Sequence, residues 1–105
     1  MKKINQLKIG GHVVKVKWEN EMPVVSGDLG DSWVAYNSIR ICTLYPESQQ
    51  QEALLHEILH YVLHNLGHKN DDDKDPIHTE ENVIAISQSL YQVLKDNKLN
   101  FWSEK

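Results

Sequence analysis

The chain has one cysteine, Cys42, among 105 residues. That excludes an intrachain disulfide and leaves no cysteine set from which a zinc site could be built. No apolar run is long enough to span a bilayer. The opening Met1-Lys2-Lys3-Ile4-Asn5-Gln6 lacks the apolar core of a signal peptide, so the expected compartment is the cytoplasm. Cationic residues are also few: eleven Lys and Arg stand against fifteen Asp and Glu, a formal net charge of -4. This balance argues against a nucleic-acid or membrane-surface binder. The acid is concentrated late, since residues 51–105 hold ten of the fifteen acids and five of the eleven bases. No repeat or linker divides the chain, which reads as a single domain over residues 1–105 and a monomer.

What the sequence does contain is a long helical pattern from Gln51 to Gly67, uninterrupted by proline. On a helical wheel of about 100° per residue, Leu55, Leu59, Val62 and Leu66 form one stripe. Leu54, Ile58 and Tyr61 form a second. The third face carries Glu52, His56, His60, Leu63 and Gly67. A helix apolar on two faces is central in its domain, and its remaining face turns two histidines toward a cleft. His56-Glu57-Ile58-Leu59-His60 is an H-E-x-x-H motif. Residues four apart share a helix face, so both histidines can bind one metal ion. Glu57 can then reach a water on that ion as general base, the arrangement of zinc metallopeptidases.

The flanking segments predict an α+β fold: an antiparallel sheet of three or four strands packed on two main helices, a small zincin-like domain. Residues 4–18 read as strand, broken by a Gly10-Gly11 hairpin turn. Residues 19–31, with Pro23, Gly27 and Gly30, read as loop or short irregular strand. Trp33-Val34-Ala35-Tyr36 and Ile39-Arg40-Ile41-Cys42 are further strand candidates, joined at Asn37-Ser38. An edge strand among them would be the place for an extended substrate to pair. Pro46 and Glu47 suit the start of the central helix and Gly67 its end. Residues 68–78 read as a solvated acidic loop, without the glycine and terminal glutamate of a calcium loop. Thr79 is the expected N-cap of a second helix running to about Lys95, stopped at Asn97. Its face of Val83, Ile86, Ser87, Leu90 and Leu94 is expected to pack on the first helix.

A catalytic zinc takes three protein ligands and one open position. Beyond His56 and His60 the candidates are His64, His68, His78, Glu80 and Glu81. His64 lies two turns from His56, about 12 Å along the axis, too far for a straight helix to place all three on one ion. Glu80, 24 residues after His56, combines an inward wheel position with a helix start, whereas Glu81 points to water. Glu80 is therefore the choice, and a glutamate from a following helix is the gluzincin solution. His64, His78 and Tyr91 are candidates for a second electrophile at the oxyanion.

His56-Glu57-Ile58-Leu59-His60-Tyr61-Val62-Leu63-His64 resembles the ImmA/IrrE family of bacterial and phage metallopeptidases, which often read H-E-x-x-H-Y-x-L-H. The Ile39-Arg40-Ile41 strand, the Pro46 turn and the glutamine-rich helix start fit the same family. Glu80-Glu81-Asn82-Val83-Ile84-Ala85 is similar to its E-A-N-x-F-A segment, with Glu80 at the metal-ligand position and departures at Glu81 and Ile84. The ending Leu90-Tyr91-Gln92-Val93-Leu94-Lys95-Asp96-Asn97 looks like the short phage-encoded members. The likeness covers roughly residues 33–97. It implies an endopeptidase with Zn2+ as cofactor and a repressor-type regulator of a mobile element as protein substrate. A second reading is a non-catalytic zinc-binding adaptor that captures such a regulator, since a chain this short has little room for substrate subsites.

Overall fold

The computed structural model describes residues 2–20, 29–68 and 75–103. Most of the expected loop over 19–31 and of the acidic loop over 68–78 lies outside these residues. The chain runs through β1 (Gln6–Ile9), β2 (His12–Glu19), β3 (Gly30–Trp33), a 3-10 turn at Val34–Tyr36, β4 (Ser38–Cys42), α1 (Glu47–Asn65) and α2 (Glu80–Asp96). The strands form one sheet in the order β1-β2-β4-β3, an α+β architecture as expected.

The sheet is mixed, which corrects the expectation of a purely antiparallel one. β1 and β2 are antiparallel, β2 and β4 parallel, and β3 and β4 antiparallel. The first hairpin follows its turn chemistry: Gly10 and Gly11 have φ of +58° and +83°, the left-handed pair that matches the twist of a two-residue hairpin. A parallel neighbour needs a crossover of a dozen or more residues, and residues 20–37 supply it. Both β2 and β4 gain from lying side by side, because Val14 and Val16, with Ile39 and Ile41, then cover one continuous buried face.

The third strand also differs from expectation. Trp33 ends it, and Val34–Tyr36 curl into the 3-10 turn closed by Asn37 at φ +49°. The strand itself, Gly-Asp-Ser-Trp, is poor in β-branched residues. Its register is held from across the sheet, where Asp31 pairs with Arg40. Arg40 Nε donates to Asp31 Oδ1 at 2.8 Å and Nη2 engages Oδ2. The guanidinium also lies over the Trp33 ring, 5.7 Å from its centroid. Asp31 holds the Arg40 pKa above its ordinary value through that hydrogen bond.

α1 packs on the inner face of the sheet through Ala53, Leu54 and Tyr61, which join Val14, Val16, Ile39 and Ile41 in one core. It starts after Pro46, whose carbonyl accepts from Gln49 and Gln50. It ends in a Schellman turn: Gly67 has φ +91°, its N–H donates to His64 O and that of His68 donates to Leu63 O. Leu66, placed by the wheel on an apolar stripe, is the exposed C-cap of this turn.

α2 begins at Thr79, whose side chain accepts from Asn82 N at 3.1 Å. Its contact with α1 is narrower than expected. Val83 and Ser87 are buried, whereas Ile86 and Leu90 are 48% and 38% exposed. The contact line turns instead toward Tyr91, whose hydroxyl donates to Gln51 Oε1 at 2.8 Å. That rotation carries Glu80 toward α1, since residues 80, 83, 87 and 91 follow one helical stripe. After α2 the chain returns to the segment before β1, with Ile4 N bonded to Trp102 O.

Candidate metal centre

The i, i+4 spacing on α1 brings the rings of His56 and His60 together at 4.8 Å between centroids. Their Nε2 atoms are 3.1 Å apart. α2 delivers Glu80 to the same point: Oε1 lies 2.7 Å from His56 Nε2 and Oε2 lies 3.1 Å from His60 Nε2. One ligand atom from each of the three residues lies within 4.8 Å of the others. Two imidazole nitrogens and one carboxylate oxygen at this separation are close enough to hold one metal ion, and the donor set suits a borderline divalent cation. Among the described residues this is the one group of three or more potential ligands so arranged. Burial lowers the His60 pKa, outweighing Glu80, which raises it. A histidine kept neutral is ready to donate a lone pair.

Glu57 stands beside the trio rather than in it. It is buried, at 7% exposure, with Oε2 4.0 Å from His56 Nε2. It lines a cleft of 440 Å³ together with His56, Glu80, Gly30, Ile84 and Gln88. Gly30 reads from the sequence as part of a loop or short irregular strand, with no place in the site. A Cβ there would sit 2.6 Å from the main-chain oxygen of Arg40 and 3.5 Å from Glu57 Cγ. The glycine thus lets β3 lie close against the β4 main chain at the cleft wall. A larger cavity of 540 Å³ lies on the other face of the sheet, among Lys15, Lys17, Trp33, Tyr36 and Arg40. No potential metal ligand lines it.

The other sequence candidates fall elsewhere. Glu81 is exposed on the far side of Glu80. His64 is partly buried one turn beyond His60 and outside the trio. His68 Nδ1 meets Asp75 Oδ2 at 3.1 Å. Tyr91 is engaged with Gln51. His78 is buried, at 3% exposure, behind His60, with its Nε2 2.7 Å from His60 Nδ1. Its other ring nitrogen meets the main-chain oxygen of His68. Neither His64, His78 nor Tyr91 lines the cleft, whose uncharged polar side chains are Gln49, Ser87 and Gln88.

No protein-family model, curated protein or solved structure matches the chain. The likeness to the ImmA/IrrE peptidases therefore rests on the motif residues themselves. No helix among the described residues is long and apolar enough to cross a membrane.

Proposed function

We propose that the chain is a zinc-dependent endopeptidase of the gluzincin kind, with His56, His60 and Glu80 as metal ligands and Glu57 as general base. The observation that carries the reading is the convergence of one ligand atom each from His56, His60 and Glu80 within 4.8 Å, on two different helices. A zinc ion held there would supply Lewis acidity, acidifying the attacking water and polarising a peptide carbonyl. Glu57 takes the proton from the attacking water and passes it to the departing amine as the C–N bond breaks. Its burial in the cleft wall keeps bulk water from competing for that proton.

Among the described residues the sheet order makes β3 an edge strand, and Gly30 on it lines the cleft. An extended peptide pairing along β3 would therefore pass the ligand trio. The resemblance to ImmA/IrrE peptidases points to a repressor-type regulator as the protein substrate.

The test is hydrolysis of casein by zinc-loaded wild type and by Glu57→Gln, with zinc content measured in both. Cleavage by the wild type and its loss in a variant that keeps its zinc support the peptidase. Full proteolysis by Glu57→Gln sinks the base assignment. For the adaptor reading the discriminating measurement is the visible spectrum of the cobalt-substituted protein. A spectrum that does not respond to azide indicates a closed coordination sphere.

A further inference from the structure

The ring of His60 is held on both sides. Nε2 faces Glu80 and His56, while Nδ1 lies 2.7 Å from Nε2 of His78. A ring nitrogen that ligates a metal carries no proton, so a neutral His60 ligating through Nε2 carries its proton on Nδ1. Nδ1 is then the donor and His78 Nε2 the acceptor. The proton of a neutral His78 must in turn sit on Nδ1, where it faces the carbonyl oxygen of His68. A carbonyl can only accept. One assignment of tautomers satisfies every contact along the line from His60 to His68.

The main chain of His78 is held as firmly as its ring. Its N–H donates to Asp75 Oδ1 at 2.9 Å, and that of Ile77 donates to the same oxygen at 2.8 Å. The other oxygen of Asp75 meets His68 Nδ1. The Schellman turn of α1 presents the His68 carbonyl, and Thr79 caps α2 one residue after His78. Glu80 follows directly. The same few hydrogen bonds thus join the end of the helix that carries two ligands to the start of the helix that carries the third.

We propose that His78 is a positioning residue for the metal centre: its imidazole fixes the tautomer and ring plane of His60, and its anchored main chain sets where Glu80 enters the site. The proposal rests on the reading of His56, His60 and Glu80 as ligands. An outer partner of a ligating histidine is commonly a carboxylate, a carbonyl or water. A neutral imidazole in that place orients the ring without adding negative charge, so the ion keeps the net charge left by a single Glu.

The experiment compares zinc dissociation constants of the full chain, by chelator competition, for wild type, His78→Phe and His78→Gln. Phe keeps the bulk of the ring without an acceptor, and zinc binding is expected to weaken about 10–100-fold. Gln restores an acceptor oxygen and should recover most of the affinity. Circular dichroism of the metal-free proteins reports whether each variant is folded. A second readout, 15N NMR of histidine-labelled zinc-loaded wild type, should show the His60 and His78 protons on Nδ1. A folded His78→Phe with wild-type zinc affinity overturns the proposal, and so does a His60 proton on Nε2. Should His78→Phe not fold, the Gln variant and the NMR assignment decide. A wild type that takes up no zinc overturns the ligand reading and this role with it, whereas an unaffected Phe variant of a zinc-binding protein overturns the role alone.

Discussion

The buried hydroxyl of Tyr61 donates to Asn37 Oδ1 at 2.5 Å, joining the residue after His60 to the left-handed turn that precedes β4. Tyr61 is fully buried, and burial raises its pKa, so the hydroxyl stays neutral and available to donate. Tyr61→Phe keeps the core contacts and strands the amide oxygen of Asn37. The expected cost is about 1–2 kcal/mol, measured by urea unfolding of the metal-free protein. A midpoint unchanged from wild type would mean that the bond contributes nothing net.

The two adjacent acids of α2 should behave very differently. Glu80 faces both histidines, and Glu81 faces solvent. Loss of a direct ligand should weaken zinc binding by at least the ~10–100-fold seen when an outer partner of a ligand is removed. Glu80→Ala should therefore lose most of its zinc affinity and Glu81→Ala almost none. Titration of both variants decides it, and the reverse ranking would require the start of α2 to be redrawn.

At Gly30 the expected effect is steric. The methyl group of Gly30→Ala meets the Arg40 carbonyl at 2.6 Å, a main-chain atom that cannot swing away. Pushing β3 outward should cost about 1–3 kcal/mol and widen the cleft. Thermal melting gives the first effect, and a lowered kcat/KM at unchanged zinc content gives the second. If Gly30→Ala melts with the wild type, the close approach of β3 is not a constraint.

Acid should act through Asp75. Hydrogen bonds from the His78 and Ile77 amides, then from His68, hold its carboxyl below the ordinary value of 3.8. A carboxylate whose pKa falls on folding stabilises the native state above its unfolded pKa, and that contribution is lost as pH drops through the folded value. Wild type should thus lose stability below about pH 4 more steeply than Asp75→Ala, while being the more stable of the two at neutral pH. Parallel acid limbs in urea-melt series of the two proteins would show that Asp75 contributes no such linkage.

Local chemistry made much of this molecule legible. The Gly10-Gly11 hairpin, the Gly67 and Thr79 caps and the spacing of His56, Glu57 and His60 each follow from a few neighbouring residues, and the structure shows them where the pattern puts them. Glu80 was reachable by the same logic, as a wheel position on a capped helix. β3 was not, because Gly30-Asp31-Ser32-Trp33 has little strand preference of its own. Its pairing depends on Arg40, nine residues on, and on the space that Gly30 leaves. The parallel contact of β2 with β4 is equally non-local. From the sequence His78 reads as an alternative ligand or electrophile. Its place behind His60 depends on how the chain returns to the end of α1. The one local hint is Asp75 three residues earlier, a spacing at which an aspartate can accept from the backbone ahead of it.

Two of the three proposed ligands stand on α1 and the third on α2, whose fully buried side chains among the described residues are Val83 and Ser87. Polar contacts complete the seam, since Tyr91 donates to Gln51 at its other end. On the proposed reading, an ion held by all three groups would be a removable rivet between the helices, added to the contacts they already make. Occupancy and helix docking would then be linked. Chelation would then be felt first at the junction of the two helices, while the sheet and α1 keep the core they share.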